Sequence, residues 1–288
     1  MRTTPKRNKN ADLGASIGLR PVFSQALQNL KLPWLEVISD NYLKVHRRHW
    51  SQLESIRKDS ALVCHGINLN IGGTDPLNLE YLSELKNFFD YFEPAWISDH
   101  LCWTSVLKNQ SFDLLPIPYT QETLDHLVSR IHQAQEFIGR EWVFENPSIY
   151  TSTSETEMTE GAFFRELHLK TGCQFLLDLN NIHVSCFNLK REPKKILSDW
   201  PLEAVAQIHL AGGSYVDDLL IDTHSQQIEN TVWDLFKDVL QKTGPLPTLI
   251  EWDRDFPEFQ VLIEQRQLAQ RILDEFARIS ETFLPRTP

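Results

Sequence analysis

Cysteine is scarce in this sequence, with four in 288 residues. Cys64, Cys102, Cys173 and Cys186 form no CxxC pair and no zinc-ribbon spacing, so no thiolate metal finger and no thiol-based mechanism follow from them. No apolar run approaches the roughly 18 residues that a membrane helix needs. The opening MRTTPKRNKNADLG is polar and basic without an apolar h-region. It predicts a mobile leader over residues 1–13 rather than a secretory signal, with reduced thiols in a cytoplasmic setting. Repeats, low-complexity tracts and linkers are missing, and Gly72–Gly73 and Gly212–Gly213 sit in neither a GxGxxG nor a P-loop. Basic charge is also in deficit, 28 residues against 39 acidic for a net −11. That balance argues against a nucleic-acid partner, and bound cations would neutralise part of it.

The chain does contain an alternation of short apolar runs and helical stretches. The runs are IGLR (17–20), LEVI (35–38), LVCH (62–65), AWISDH (95–100), WVFEN (142–146), FLLDL (175–179), AQIHL (206–210) and TLIEW (248–252). Leu79, Leu82, Leu85, Phe88 and Phe92 recur at helical spacing, as do Leu124, Leu127, Ile131 and Ile138 between Thr120 and Gly139. Trp233, Phe236 and Leu240 form a third stripe, and a last helix covers roughly 258–280. The helix after the sixth run is weakest, with only PKKILSDW to supply it. Eight strand-then-helix units predict a single α/β domain over residues 14–288, a (β/α)8 TIM barrel, with an open doubly wound sheet as the rival.

His65, His100, Glu145, Asp178, His209 and Glu251 each stand at the end of their apolar run, not its beginning. In a barrel those ends converge on one mouth. Several carboxylates in a dry mouth require protonation or cations to offset their repulsion. Imidazoles among carboxylates suit iron, zinc, manganese or similar ions better than calcium or magnesium. LIDTHSQQI adds Asp222 and His224, and LLDLNNIHVS adds the weaker candidates Asn181 and His183. Each of these pairs is spaced i, i+2, which in an extended segment turns both side chains to one ion. Two or three ions would use that many ligands.

Plainer readings stand beside these. His46, His49, His126, His132 and His168 fall on helical stretches as surface residues. Asp99 and Asn146 would orient His100 and Glu145. The tryptophans are packing residues. A metal-free pair, Glu145 with Glu251, suits glycoside hydrolysis but leaves the histidines without a task. A redox-inert divalent-metal isomerase or phosphodiesterase is the main rival function, and a non-catalytic binding protein a third.

LEVISDNYL, HGINLNIGG, ISDHLCW, LPIPYTQETL, VFENPSIY, LLDLNNIHVS, IHLAGG, IDTHSQQI and LIEWDRDFP occur in that order. Together they resemble the signatures of the multinuclear non-heme iron-dependent oxidative enzymes, a bacterial barrel family that includes the methanobactin-type oxidase. The resemblance runs from about residue 14 to 275. It implies two or three iron ions, dioxygen, oxidation of cysteine in a ribosomally made precursor peptide, and a partner protein that delivers the peptide leader. Carried over by position, it implies that His65, His100 and Glu145 hold one iron. Glu145 would bridge to a second, completed by Asp178, His209 and Glu251. Asp222 and His224, with Asn181, would hold a third. Asp253 would serve as a base. The sequence departs from the family pattern at Asp40–Asn41–Tyr42 in place of ENY, at His183 where tyrosine is common, and at Gly213 where a second histidine is usual. The last two bear on the third ion, so two are expected before three.

Overall fold

A computed structural model describes residues 13–28, 30–44, 50–107, 109–152 and 155–283. The predicted leader falls almost wholly outside them, as do His46 and His49. The first three-residue strand, β1 (Ala15–Ile17), is followed by β2 (Trp34–Ile38), β3 (Ala61–His65), β4 (Ile97–His100), β5 (Trp142–Glu145), β6 (Gln174–Asp178), β7 (Val205–Leu210) and β8 (Thr248–Ile250). All pair in parallel in sequence order, and β8 pairs back onto β1 with Ala15 opposite Thr248. The ring closes between β1 and β2 through the Gly18–Glu36 bridge and a 2.7 Å bond from Leu19 N to Glu36 O. The chain is thus the eight-stranded barrel its apolar runs imply.

Several of those runs are shorter than the sequence suggests, IGLR and TLIEW among them. IGLR contributes only Ile17 to β1, because Ala15 and Ser16, both fully buried, make the ladder contacts to β8. TLIEW ends its ladder at Ile250 and leaves Glu251 just beyond it.

The helices lie where propensity and capping agree. The first long one, α1 (Leu79–Phe92), is capped by Asn78, whose side chain accepts from Tyr81 N. The next, α2 (Gln121–Ile138), starts at Thr120 and stops at Gly139, whose φ of 77° suits a residue without Cβ. Thr159 caps α3 (Glu160–Thr171). After β6 the structure departs from expectation. A buried helix, α4 (Leu179–Leu189), begins immediately after Asp178, which caps it by accepting from Asn181 N at 2.7 Å. A short α5 (Pro193–Asp199) follows, then α6 (Asn230–Thr243) and α7 (Phe259–Phe283).

The main apolar cluster fills the space between strands and helices, including Phe88, Phe92, Phe144, Phe164, Phe175 and Phe236. Two small separate clusters, Trp34–Val63–Leu249 and Val143–Leu176–Ala206, share Trp96 as a neighbour and plug the barrel itself. Two hairpins rise from the rim directly after strand ends, Cys102–Val106 with Asn109–Pro116 beyond His100, and Ser214–Val216 with Leu219–Ile221 beyond β7. No helix among the described residues is long and apolar enough to cross a membrane. All four cysteines are buried and unpaired. Burial pushes their thiols upward, which leaves them unreactive.

Candidate metal centre

The strands bring most of the sequence-predicted residues into three touching groups. His65, His100 and Glu145 form the first; Glu145, Asp178, His209 and Glu251 the second; His224, Glu251 and Asp253 the third. Within each group one ligand atom per residue lies within 4.8 Å of the others. Glu145 links the first two. Its Oε2 is 3.2 Å from His65 Nε2 and 3.3 Å from His100 Nε2, while its Oε1 is 3.7 Å from His209 Nδ1. Glu251 links the second and third. Its Oε2 is 2.9 Å from His209 Nδ1 and 3.2 Å from His224 Nδ1.

The backbone accounts for the aim of these side chains. His100 Nδ1 donates to Gly66 O at 3.2 Å, which leaves the Nε2 lone pair facing Glu145. His65 Nδ1 pairs with Ser98 Oγ at 2.8 Å. Asp99 accepts from the backbone N of His100 and of Leu69, so it fixes the strand end and not the His100 ring. Asn146 bonds to both N and O of Asp178, so it fixes β6 rather than Glu145.

Asp222 Oδ1 is 2.8 Å from His224 Nε2, and its carboxylate also accepts from Asn180 and Ser148. The pair therefore meets as expected, although the chain between is not simply extended, since His224 has φ 44°. Asn181 stands beside Asp178, with Nδ2 donated to Asn146 O and a buried, unbonded Oδ1. For Asn181 and His183 the extended spacing does not hold. Both lie on α4, where i and i+2 point apart. His183 Nε2 instead faces Glu229 Oε2 at 3.4 Å. Gly213 leaves no room for the histidine usual at that position, because a Cβ would come within 2.7 Å of Ile221 O. Of the helical histidines, His126 and His168 are only half exposed, with Nε2 of the first bonded to Gly73 O at 2.9 Å and Nδ1 of the second to Cys173 O at 2.7 Å.

Burial and neighbouring charges divide the protons unevenly. Burial pushes Glu145 well above the usual carboxylate range, with His209 opposing and Glu251 and Asp178 adding. Asp178 is raised chiefly by burial. Burial would also raise Glu251, but His209 and then His224 outweigh it and hold the carboxyl well below the usual range. Burial and then the neighbouring His100 and His209 push His65 well down, and burial pushes His100 down to about 4. Burial opposes a proton on His209, yet Glu36, Glu251 and Glu145 raise it well above the ordinary imidazole range. His65 and His100 are therefore neutral, the state in which imidazole ligates a metal.

The residues fit a metal cluster. Glu145 Oε2 and Asp178 Oδ2 are buried without a hydrogen bond. Such atoms are costly unless something positive meets them. The neutral rings of His65 and His100 turn their Nε2 atoms toward one carboxylate oxygen, and a cation between them resolves that convergence. Nitrogen and oxygen donors without thiolate suit iron, zinc or manganese.

Three participants were not anticipated. Arg20, just past the end of β1, donates Nη2 to Glu251 Oε1 at 3.1 Å and to Asp253 Oδ1 at 2.6 Å. Glu36, inside β2, is 3.1 Å from His209 Nε2. Glu229 faces His183. The signal for Arg20 was its place at a run's end, the same rule that singled out the histidines. Glu36 was signalled by a charge inside an otherwise apolar strand.

Comparison with known proteins decides the family. A profile described as RiPP precursor modification enzyme MbnB/TglH/ChrH matches residues 14–274. The chain belongs to that family. A UPF0276 protein of Acaryochloris marina is 41% identical over 90% of this chain and 95% of its own. Another from Psychromonas ingrahamii is 40% identical over 89% and 93%. Among solved structures, a D-tagatose 3-epimerase-like protein superposes with a TM-score of 0.62 at 14% identity, covering 93% of this chain and 98% of that one. Endonuclease IV of Thermus thermophilus gives 0.58 at 13%, covering 92% and 99%. At such identities these two similarities concern the barrel fold. The family is one of enzymes that modify ribosomally made precursor peptides, and this member carries a buried cluster able to hold metal ions.

Proposed function

We propose that this chain uses two or three non-heme iron ions and dioxygen to oxidise cysteine residues of a ribosomally made precursor peptide. The supporting observation is Glu145, whose two oxygens face two different donor sets. A carboxylate so placed would serve two ions at once. His65, His100 and Glu145 would hold one ion, and Asp178, His209 and Glu251 its neighbour. His224 with Asp222 would hold a third, with Asn181 nearby. His183, turned to Glu229, is left out of the ligand set. Bound iron would supply a site for the substrate thiolate and one-electron exchange with dioxygen.

The protein's own groups do the rest. The packed barrel beneath the cluster excludes water from below. Arg20 offsets the charge of Glu251 and Asp253 and fixes both. Asp253, with a side chain 42% exposed and Oδ2 3.3 Å from His224 Nδ1, stands at the rim. There it would accept the thiol proton as the cysteine enters. A partner protein that holds the peptide leader completes the proposed system, in a reducing cytoplasm.

The test is anaerobic purification, metal analysis and oxygen uptake with any cysteine-bearing precursor peptide found encoded beside the gene. Iron in the protein, oxygen consumption and an oxidative mass change in the peptide are expected. Glu145→Gln should abolish the last two. Full activity without oxygen, or with zinc alone, would instead establish the redox-inert reading.

A further inference from the structure

We infer that Glu36 is a positioning residue for the metal centre: it holds the Nε2 hydrogen of His209 and so turns the Nδ1 lone pair toward Glu145 and Glu251. The inference rests on the reading of His209 as a metal ligand. Glu36, Gln207 and His209 are all fully buried. Glu36 Oε2 is 3.1 Å from His209 Nε2 and accepts from Gln207 Nε2 at 2.7 Å. Trp96 Nε1 donates to Gln207 Oε1 at 2.6 Å.

The outermost group constrains the inner ones. An indole N–H only donates, so Gln207 must present its oxygen to Trp96. Its amide nitrogen is then fixed on the side of Glu36 and His209, 2.8 Å from the imidazole Nε2. A carboxylate only accepts. A metal ligand must be a neutral ring, and two tautomers of a neutral His209 compete. With hydrogen on Nδ1, the Nε2 lone pair would accept from Gln207 Nε2 at 2.8 Å but face the Glu36 oxygen, acceptor against acceptor, and an N–H would point where the metal belongs. With hydrogen on Nε2, Glu36 accepts it, and Nδ1 offers a lone pair 2.9 Å from Glu251 Oε2 and 3.7 Å from Glu145 Oε1. Only the second arrangement ligates. Apolar packing by Trp34, Val63 and Leu249 fills the barrel interior, so Trp96, Gln207 and Glu36 form a relay that sets one ring from within the core.

Zinc alone, added to metal-free full-length protein, is the probe, since it leaves ring signals visible by nuclear magnetic resonance. Two readouts are taken: zinc affinity by chelator competition, and the tautomer of His209 from its ring nitrogens. Glu36→Gln should weaken binding at the group containing His209 by about 10–100-fold. It should also replace the single His209 tautomer with a mixture. Trp96→Phe, which leaves all three polar groups in place but frees Gln207 to turn, should move both readouts the same way by less. That variant keeps the test available if Glu36→Gln does not fold. A tightly binding wild type whose affinity and tautomer are unmoved in the variants overturns this inference alone. A wild type that takes up neither zinc nor iron overturns the metal centre and this inference with it.

Discussion

His209 Nδ1 stands 2.9 Å from Glu251 Oε2, across the seam between β7 and β8. Glu251 also faces His224 and Arg20, so a single carboxylate serves two ligand groups. Removing its charge should disturb both. In Glu251→Gln, more than one equivalent of metal should be lost per chain after anaerobic reconstitution with iron, as read by elemental analysis. Loss of one equivalent or none would mean that Glu251 does not join the groups.

Arg20 contacts Glu251 and Asp253 with the same nitrogen and adds Nε to Asp253 at 3.2 Å. That is a planar fork, which a lysine ammonium does not reproduce. Arg20→Lys should therefore keep the charge and the fold yet lower metal affinity or turnover by roughly 10–100-fold, the usual cost of disturbing a group that orients ligands. Competition titration against a chelator, together with peptide turnover, checks it. Wild-type values in the lysine variant would show that charge alone matters here.

These two residues also mark where the sequence was legible. The eight strands were readable because parallel strands buried on both faces leave continuous apolar runs. The site was readable because its candidate ligands stop those runs: His65, His100, Glu145 and Asp178 are the last residues of their strands. Glu36 broke that rule. It lies within Trp34–Ile38, on the face shared with Trp34, where one charge in an apolar run leaves no periodic trace. The helix α4 was missed because LNNIHVSCFNL has weak helix formers and follows a strand without a loop. Its start is set by the Asp178 cap and by packing, which only the fold supplies. The same oversight misplaced His183.

Packing outside the barrel can be tested independently of any metal. Phe164 is fully buried, its ring 4.8 Å from that of Phe175 and 4.5 Å from that of Trp200. Phe164→Ala removes a large side chain from a site ringed by rigid aromatics that cannot easily collapse. The expected loss is about 3–5 kcal/mol, measured by urea unfolding of the metal-free protein. A loss below about 1 kcal/mol would mean that the surrounding rings refill the space.

Glu160 supplies a pH prediction away from the cluster. It opens α3 and accepts from Trp200 Nε1 at 2.8 Å. Burial pushes its carboxyl up to about 7, against the hydrogen bond from Trp200 and the charge of Arg191. In the unfolded chain the group titrates near the ordinary value of about 4.3. The folded state thus binds the proton more tightly. Its stabilising contribution is complete below the unfolded value, falls as pH rises, and is gone above the folded value. Glutamine mimics the protonated form at every pH. The Glu160→Gln variant should therefore match wild type near pH 4 and exceed it in urea midpoint near pH 8, with both proteins metal-free. Because the cluster's own titration is common to the two, the difference between them isolates Glu160. A difference that stays constant between those pH values would show that the carboxyl titrates alike in both states.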